Sequence, residues 1–297
     1  MTSSPRGCPD CSPNGTPVVT ILPKGADHPS AQCERTKLSR HLTIPTADTQ
    51  LYTVDNPGSA PPLLFLSGGF GTIHNWNRVI DRLSGRYRAV LFDARARGKS
   101  GTSADYSVQG AVNDIGRVID ATELDRPILV AWSYGATIAV QYAARHPDQV
   151  RGLVLIDGAY PIAMFDELGK QQVRAQFRRL AWIMRILAAL GRSAHMSADQ
   201  TADVVIEMDA VNGELGPDLA ALQCPTAYLV GTGGHQGATE EQMRTVRSAV
   251  AKAEAGNKRV TVFATTPYNH TQILKKAPDT VVDAIEYVVE ESRSQAG

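Results

Sequence analysis

The stretch that most limits how this chain can fold is Pro127-Ile128-Leu129-Val130-Ala131-Trp132-Ser133-Tyr134-Gly135-Ala136-Thr137. Its first half is an apolar, β-branched run, the signature of a buried strand, and Thr137 to Ala144 follow with the pattern of a helix. Ser133 sits between them with no spacer residues. A strand that turns this abruptly into a helix holds its turn residue in a strained conformation, and small neighbours are needed where backbones cross. The pattern is G-x-S-x-G with Ala131 in place of the first glycine. Such a turn lifts the hydroxyl clear of the backbone and aims the next amide, that of Tyr134, at whatever the hydroxyl attacks. The plainer reading is a serine capping a buried helix.

The rest of the chain alternates strands and helices around this turn. His41-Leu42-Thr43-Ile44 and Gln50 to Val54 alternate like an antiparallel pair. Leu63-Leu64-Phe65-Leu66, Arg88 to Asp93, Val150 to Asp157, Thr226 to Val230 and Arg259 to Phe263 are nearly continuous apolar strands. Helical patterns separate them, at His74 to Leu83, Val108 to Glu123, 239–255 and 278–292. Apolar strands alternating with helices imply a mostly parallel sheet buried on both faces, an α/β fold. The alternation pauses at residues 162–222, which carry helical patterns but no strand. Residues 1–38, rich in Pro, Ser, Gly and Thr, read as a flexible leader. The organisation expected is therefore leader 1–38, core 39–161, helical insertion 162–222 and core 223–297.

Charge is balanced, 30 Lys+Arg against 30 Asp+Glu, so nothing favours nucleic acid or an anionic membrane as partner. No apolar run is long enough to span a membrane and no secretory h-region is visible, which points to a cytoplasmic protein. Cys8-Pro9-Asp10-Cys11 resembles half a metal knuckle that Cys33 with His28 or His41 could complete, but no second C-x-x-C follows. No metal and no cofactor are expected, and Cys224 reads as a packed thiol.

These motifs, in order and spacing over about residues 40–292, resemble the α/β-hydrolase family. Leu63 to Thr72 is similar to its oxyanion strand and loop, with Ser67 where a histidine is usual. Asp93-Ala94-Arg95-Ala96-Arg97-Gly98-Lys99-Ser100 is similar to its D-x-R-G-x-G-x-S loop. The resemblance implies a helical cap at 162–222, inserted after the sixth strand.

It also implies a mechanism. A serine hydroxyl attacks poorly until a base takes its proton. His270, in the Thr265 to His270 loop after the last strand, is the base expected; a solvated loop histidine is the alternative. By residue match, the amides of Gly69 and Tyr134 would hold the oxyanion, though Gly68, Gly69 and Gly71 also suit a plain turn. Phe70 beside them and Trp182 in the cap are expected to bind substrate. The cap arginines Arg174, Arg178, Arg179 and Arg185 are expected to form a solvated face.

The departure concerns the acid. The family usually carries it after the strand Thr226 to Val230, but here the loop reads Gly231-Thr232-Gly233-Gly234-His235-Gln236-Gly237-Ala238. Asp157 stands at the place that some haloalkane dehalogenases use, although those enzymes have an aspartate nucleophile. It is the only carboxylate at a strand end between Ser133 and His270; its plain role would be to cap a loop. The expectation is a serine hydrolase acting on an ester, lactone, thioester or amide of a largely apolar small molecule. Two other classes stay open. One is a cofactor-free lyase or isomerase using His270 as base, the other a non-catalytic ligand-binding protein.

Overall fold

The computed structural model describes residues 39–189, 194–233 and 240–294. The expected leader with Cys8, Cys11, Cys33 and His28 lies outside them, as do Gly234 and His235. Eight strands form one sheet in the order β1-β2-β4-β3-β5-β6-β7-β8. They are β1 (Arg40–Pro45), β2 (Gln50–Asn56), β3 (Ser59–Leu66), β4 (Tyr87–Phe92), β5 (Ile128–Trp132), β6 (Gly152–Ile156), β7 (Thr226–Gly231) and β8 (Val260–Thr266). The β1–β2 and β2–β4 pairs are antiparallel and all the others parallel. This is the mostly parallel sheet that the apolar runs imply.

β3 begins earlier than the apolar run from Leu63 suggests. Its register against β4 slips between Ser59 and Leu63, and Pro61 and Pro62, which have no N–H to donate, fall within that slip.

Side chains alternate across the sheet with period two. Leu64, Leu66, Leu129, Ala131, Leu153, Leu155 and Tyr228 pack one face, against helices Val108–Thr122 and Tyr134–Arg145. Leu63, Phe65, Ile128, Val130, Trp132, Val154 and Ile156 pack the other, against helix Pro278–Ser294 and the short helix Asn77–Leu83. The central strands β5 and β6 are buried and free of charge throughout because neither face meets water.

The chain runs from β3 outward to β4, then returns to place β5 on the other side of β3. That reversal opens a crevice beyond the carboxyl ends of β3 and β5, where open α/β sheets bind their ligands. Between β6 and β7 the described residues form the helices Glu167–Ala189, Ala198–Gly213 and Gly216–Ala221. The first two are tied together by Arg174 to Asp203 at 2.5 Å and Arg178 to Asp199 at 2.8 Å. Arg178 is 65% exposed and Arg174 40%, so these arginines do line a solvated face, and they also pair with carboxylates of the neighbouring helix across it.

Among the described residues, no helix is long and apolar enough to cross a membrane. Nor does any group of three or more His, Cys, Asp or Glu stand where it could hold a metal ion. Cys224 is buried and free, as a packed thiol should be.

Candidate active site

Ser133 occupies φ 58°, ψ −121°, a conformation that L-residues adopt only under constraint. The constraint is visible around it. Its amide donates to Ile156 O at 3.0 Å, extending the β5–β6 ladder by one residue. The helix begins at once, at Tyr134, three residues before the pattern of apolar residues suggests. Gly135 is obligatory: a Cβ there would lie 2.4 Å from Leu66 O. Ala131 is tolerated in place of the usual glycine because it lies within β5, paired with Leu66 on one side and Leu155 on the other.

The structure brings Asp157 and His270 together. His270 Nδ1 lies 2.8 Å from Asp157 Oδ2. Asp157 is 2% exposed and His270 24%. The other carboxylate oxygen accepts from Gly231 N at 3.1 Å and from the Tyr160 hydroxyl. Burial, then the negative charge of Asp157 beside it, pushes the Tyr160 phenol well above its ordinary value, so it remains a donor. A carboxylate facing Nδ1 can only accept, which places the imidazole proton on Nδ1 and leaves Nε2 as the basic nitrogen. Trp132, the residue before Ser133, lies against the His270 ring with centroids 5.3 Å apart. The serine turn and the imidazole loop therefore meet through the last side chain of β5.

The other candidates are engaged elsewhere. Asp203 pairs with Arg174, Glu207 accepts from Val108 N at 3.1 Å, and Asp209 accepts from Met164 N and Phe165 N. His41 Nδ1 faces the Tyr52 hydroxyl, the His146 ring lies tilted against Tyr142, and His195 N donates to Ala96 O.

Gly69 and Tyr134 are neighbours: a Cβ built on Gly69 would sit 3.8 Å from Tyr134 Cβ. Tyr134 N–H, as the first amide of its helix, has no partner within it. The loop bearing Gly69 is pinned at its base, where Trp76 Nε1 donates to Ser67 Oγ at 3.0 Å and Gly71 N to Gly68 O at 2.9 Å. Serine at position 67 thus anchors the loop through a tryptophan. Asp93 joins this loop to the next, accepting from Ile73 N on one oxygen and Lys99 N on the other. Burial pushes its carboxyl above the ordinary value, and those two amides draw it back.

Of the two expected substrate contacts, Phe70 packs against Phe177 of helix Glu167–Ala189, ring centroids 5.8 Å apart. Trp182 is 65% exposed. Residues that sequence reasoning did not single out complete the site: Tyr160, Trp132 and Arg97, whose Nε donates to Gly69 O at 2.9 Å. Tyr160 follows Asp157 by three residues, and the positive φ of Asp157 and Ala159 folds it back onto the carboxylate.

Comparison with known proteins agrees with this architecture. Residues 61–197 match a family model described as the alpha/beta hydrolase fold. A haloalkane dehalogenase of Mesorhizobium japonicum is 29% identical over 139 residues, 46% of this chain and 45% of that protein. Lipase 3 of Moraxella sp. is 30% identical over 134 residues, 43% of this chain and 42% of that protein. The chain thus matches under half the length of these relatives. The structure of the haloalkane dehalogenase DbeA from Bradyrhizobium elkani superposes with a TM-score of 0.66 at 16% identity, covering 86% of this chain and 99% of that one.

Proposed function

From the α/β-hydrolase fold that this chain has, we propose that it is a serine hydrolase. Its substrate is a carboxylic ester, lactone, thioester or amide of a largely apolar small molecule. The observation that carries this reading is the buried Asp157 carboxylate 2.8 Å from His270 Nδ1, on a loop that meets the Ser133 turn.

In this reading Ser133 Oγ attacks the carbonyl carbon while His270 Nε2 takes the hydroxyl proton. The negative charge moves to the carbonyl oxygen, which accepts from Gly69 N–H and Tyr134 N–H. As the intermediate collapses, His270 returns the proton to the leaving group, and an acyl-serine remains. Water, deprotonated by His270, then releases the acid and regenerates Ser133. Asp157 holds the ring tautomer and stabilises the imidazolium formed at each attack.

The dehalogenase likeness covers fold and part of the sequence, but in this reading it does not extend to the nucleophile, which is Ser133. Serine attack on an alkyl halide would form an ether, which water does not reopen. The Phe70–Phe177 contact puts aromatic surface from the helical segment over the loop that bears Gly69, which supports an apolar acyl group and a cap role for residues 162–222.

A panel of p-nitrophenyl esters of graded acyl length, run with the purified protein alongside fluorophosphonate labelling, tests this. Turnover together with a single adduct on Ser133 is expected. Absence of both would refute the reading, and a lyase using only His270 as base would escape labelling.

A further inference from the structure

Two arginines in the loop after β4 have opposite surroundings. Arg95 is held by both oxygens of Asp114, at 2.7 and 2.9 Å, an ordinary buried ion pair. Arg97 is 4% exposed, and among the described residues no carboxylate pairs with it. Its Nε donates to Gly69 O at 2.9 Å and its Nη1 to Arg95 O at 2.6 Å, while Nη2 is buried without a hydrogen-bond partner. Burial holds the guanidinium below its ordinary value, and the groups that oppose this are the phenols of Tyr134 and Tyr106. Burial also raises the Tyr134 phenol, which therefore stays neutral and supplies no counter-charge.

An unpaired buried cation costs several kcal/mol, and an apolar side chain would fill the same space without that cost. The charge stands where it can act. Gly69 has no side chain to be gripped by, and nothing lies closer than 3.8 Å to the place its Cβ would occupy. The hydrogen bond from Arg97 to the Gly69 carbonyl holds the peptide plane that follows it. Arg97 is itself held on the backbone, its N donating to Ala94 O and its O accepting from Ser100 N, both at 2.9 Å.

We infer that Arg97 is a positioning residue for the oxyanion hole, resting on the serine-hydrolase reading. Its guanidinium grips Gly69 from the carbonyl side so that the Gly69 amide is aimed before substrate arrives. Its uncompensated positive charge, in a low-dielectric interior beside Gly69 and Tyr134, favours negative charge on the carbonyl oxygen in the transition state. Both effects act on the transition state more than on the bound substrate, so they belong to kcat rather than KM.

The test compares wild type, Arg97→Lys and Arg97→Met as full-length proteins. It measures the phosphonylation rate of Ser133 by a fluorophosphonate, kcat and KM for p-nitrophenyl acetate, and Tm. Arg97→Met is expected to slow phosphonylation and kcat by about tenfold to a hundredfold, with KM within about twofold, on the scale of losing one oxyanion donor. Arg97→Lys, which keeps the charge but cannot bridge both carbonyls, is expected to fall between. Wild-type rates in Arg97→Met overturn the inference, and so does a loss confined to KM, which would make Arg97 a substrate contact. Should Arg97→Met fail to fold, Arg97→Lys carries the test, and a wild-type rate there overturns it. If the wild type itself takes no label, the serine reading fails and this inference with it. Labelling of all three at one rate removes Arg97 alone.

Discussion

His270 Nδ1 lies 2.8 Å from Oδ2 of Asp157, a carboxylate 113 positions earlier in the chain that enters at the end of β6. At Gly233, in the loop after β7, there is no room for it. A Cβ on Gly233 would sit 2.7 Å from Asn269 N, Pro267 O and the Tyr268 carbonyl carbon, so the His270 loop fills that space itself. With position 233 closed to side chains, an acid reaches the imidazole from the end of β6, where Asp157 holds a positive φ.

Asp157→Asn should lower kcat by about a thousandfold or more while leaving the fold in place, because an amide can donate to Nδ1 and stabilise the wrong tautomer. Steady-state kinetics with circular dichroism checks this. A loss of under about tenfold would make Asp157 a loop-capping group.

Restoring the acid at the more usual place should fail. Gly233→Asp, introduced into the Asp157→Asn background, should give no recovery of turnover and should lower Tm, since its Cβ would clash with backbone. Recovery of even a few per cent of wild-type kcat would show that the loop can open to accept a carboxylate.

Two aromatic residues of one helix should behave differently. Phe177→Ala removes the ring packed on Phe70 and should shift preference among acyl chain lengths by about tenfold. Trp182→Ala, at a side chain 65% exposed, should change the same ratios by less than about twofold. The comparison is read from kcat/KM across the ester panel.

Cys224 should resist thiol reagents. Burial pushes its thiol up to about 11, so at pH 8 only about one molecule in a thousand carries the reactive thiolate. Peptide mapping after brief iodoacetamide treatment should find Cys224 unmodified in the native protein and alkylated in denaturant.

The sheet was legible because strands buried on both faces cannot carry charge, so each appears as an apolar run. The Ser133 turn was legible because a strand and a helix pattern abut there. Asp157 could be singled out as a carboxylate at a strand end in the right chain order. The environment of these groups was not legible. Arg174 and Arg178 lie on the solvated face that their helix pattern suggests, but only the packing of a second helix reveals Asp203 and Asp199 as partners. Arg95 and Arg97 are equally indistinguishable in sequence. Which one meets Asp114, and which meets Gly69, depends on the course of the loop, where Ala96 holds φ 59° in the position the family motif gives to glycine.

The most direct measurement is to acid-quench the wild-type enzyme during turnover of p-nitrophenyl acetate and map its peptides by mass. The expected result is one acetyl group on Ser133, absent in Ser133→Ala, which should keep its fold because only one oxygen is lost from the turn. Continued turnover with no acyl group on Ser133, or undiminished turnover by Ser133→Ala, would contradict the serine mechanism.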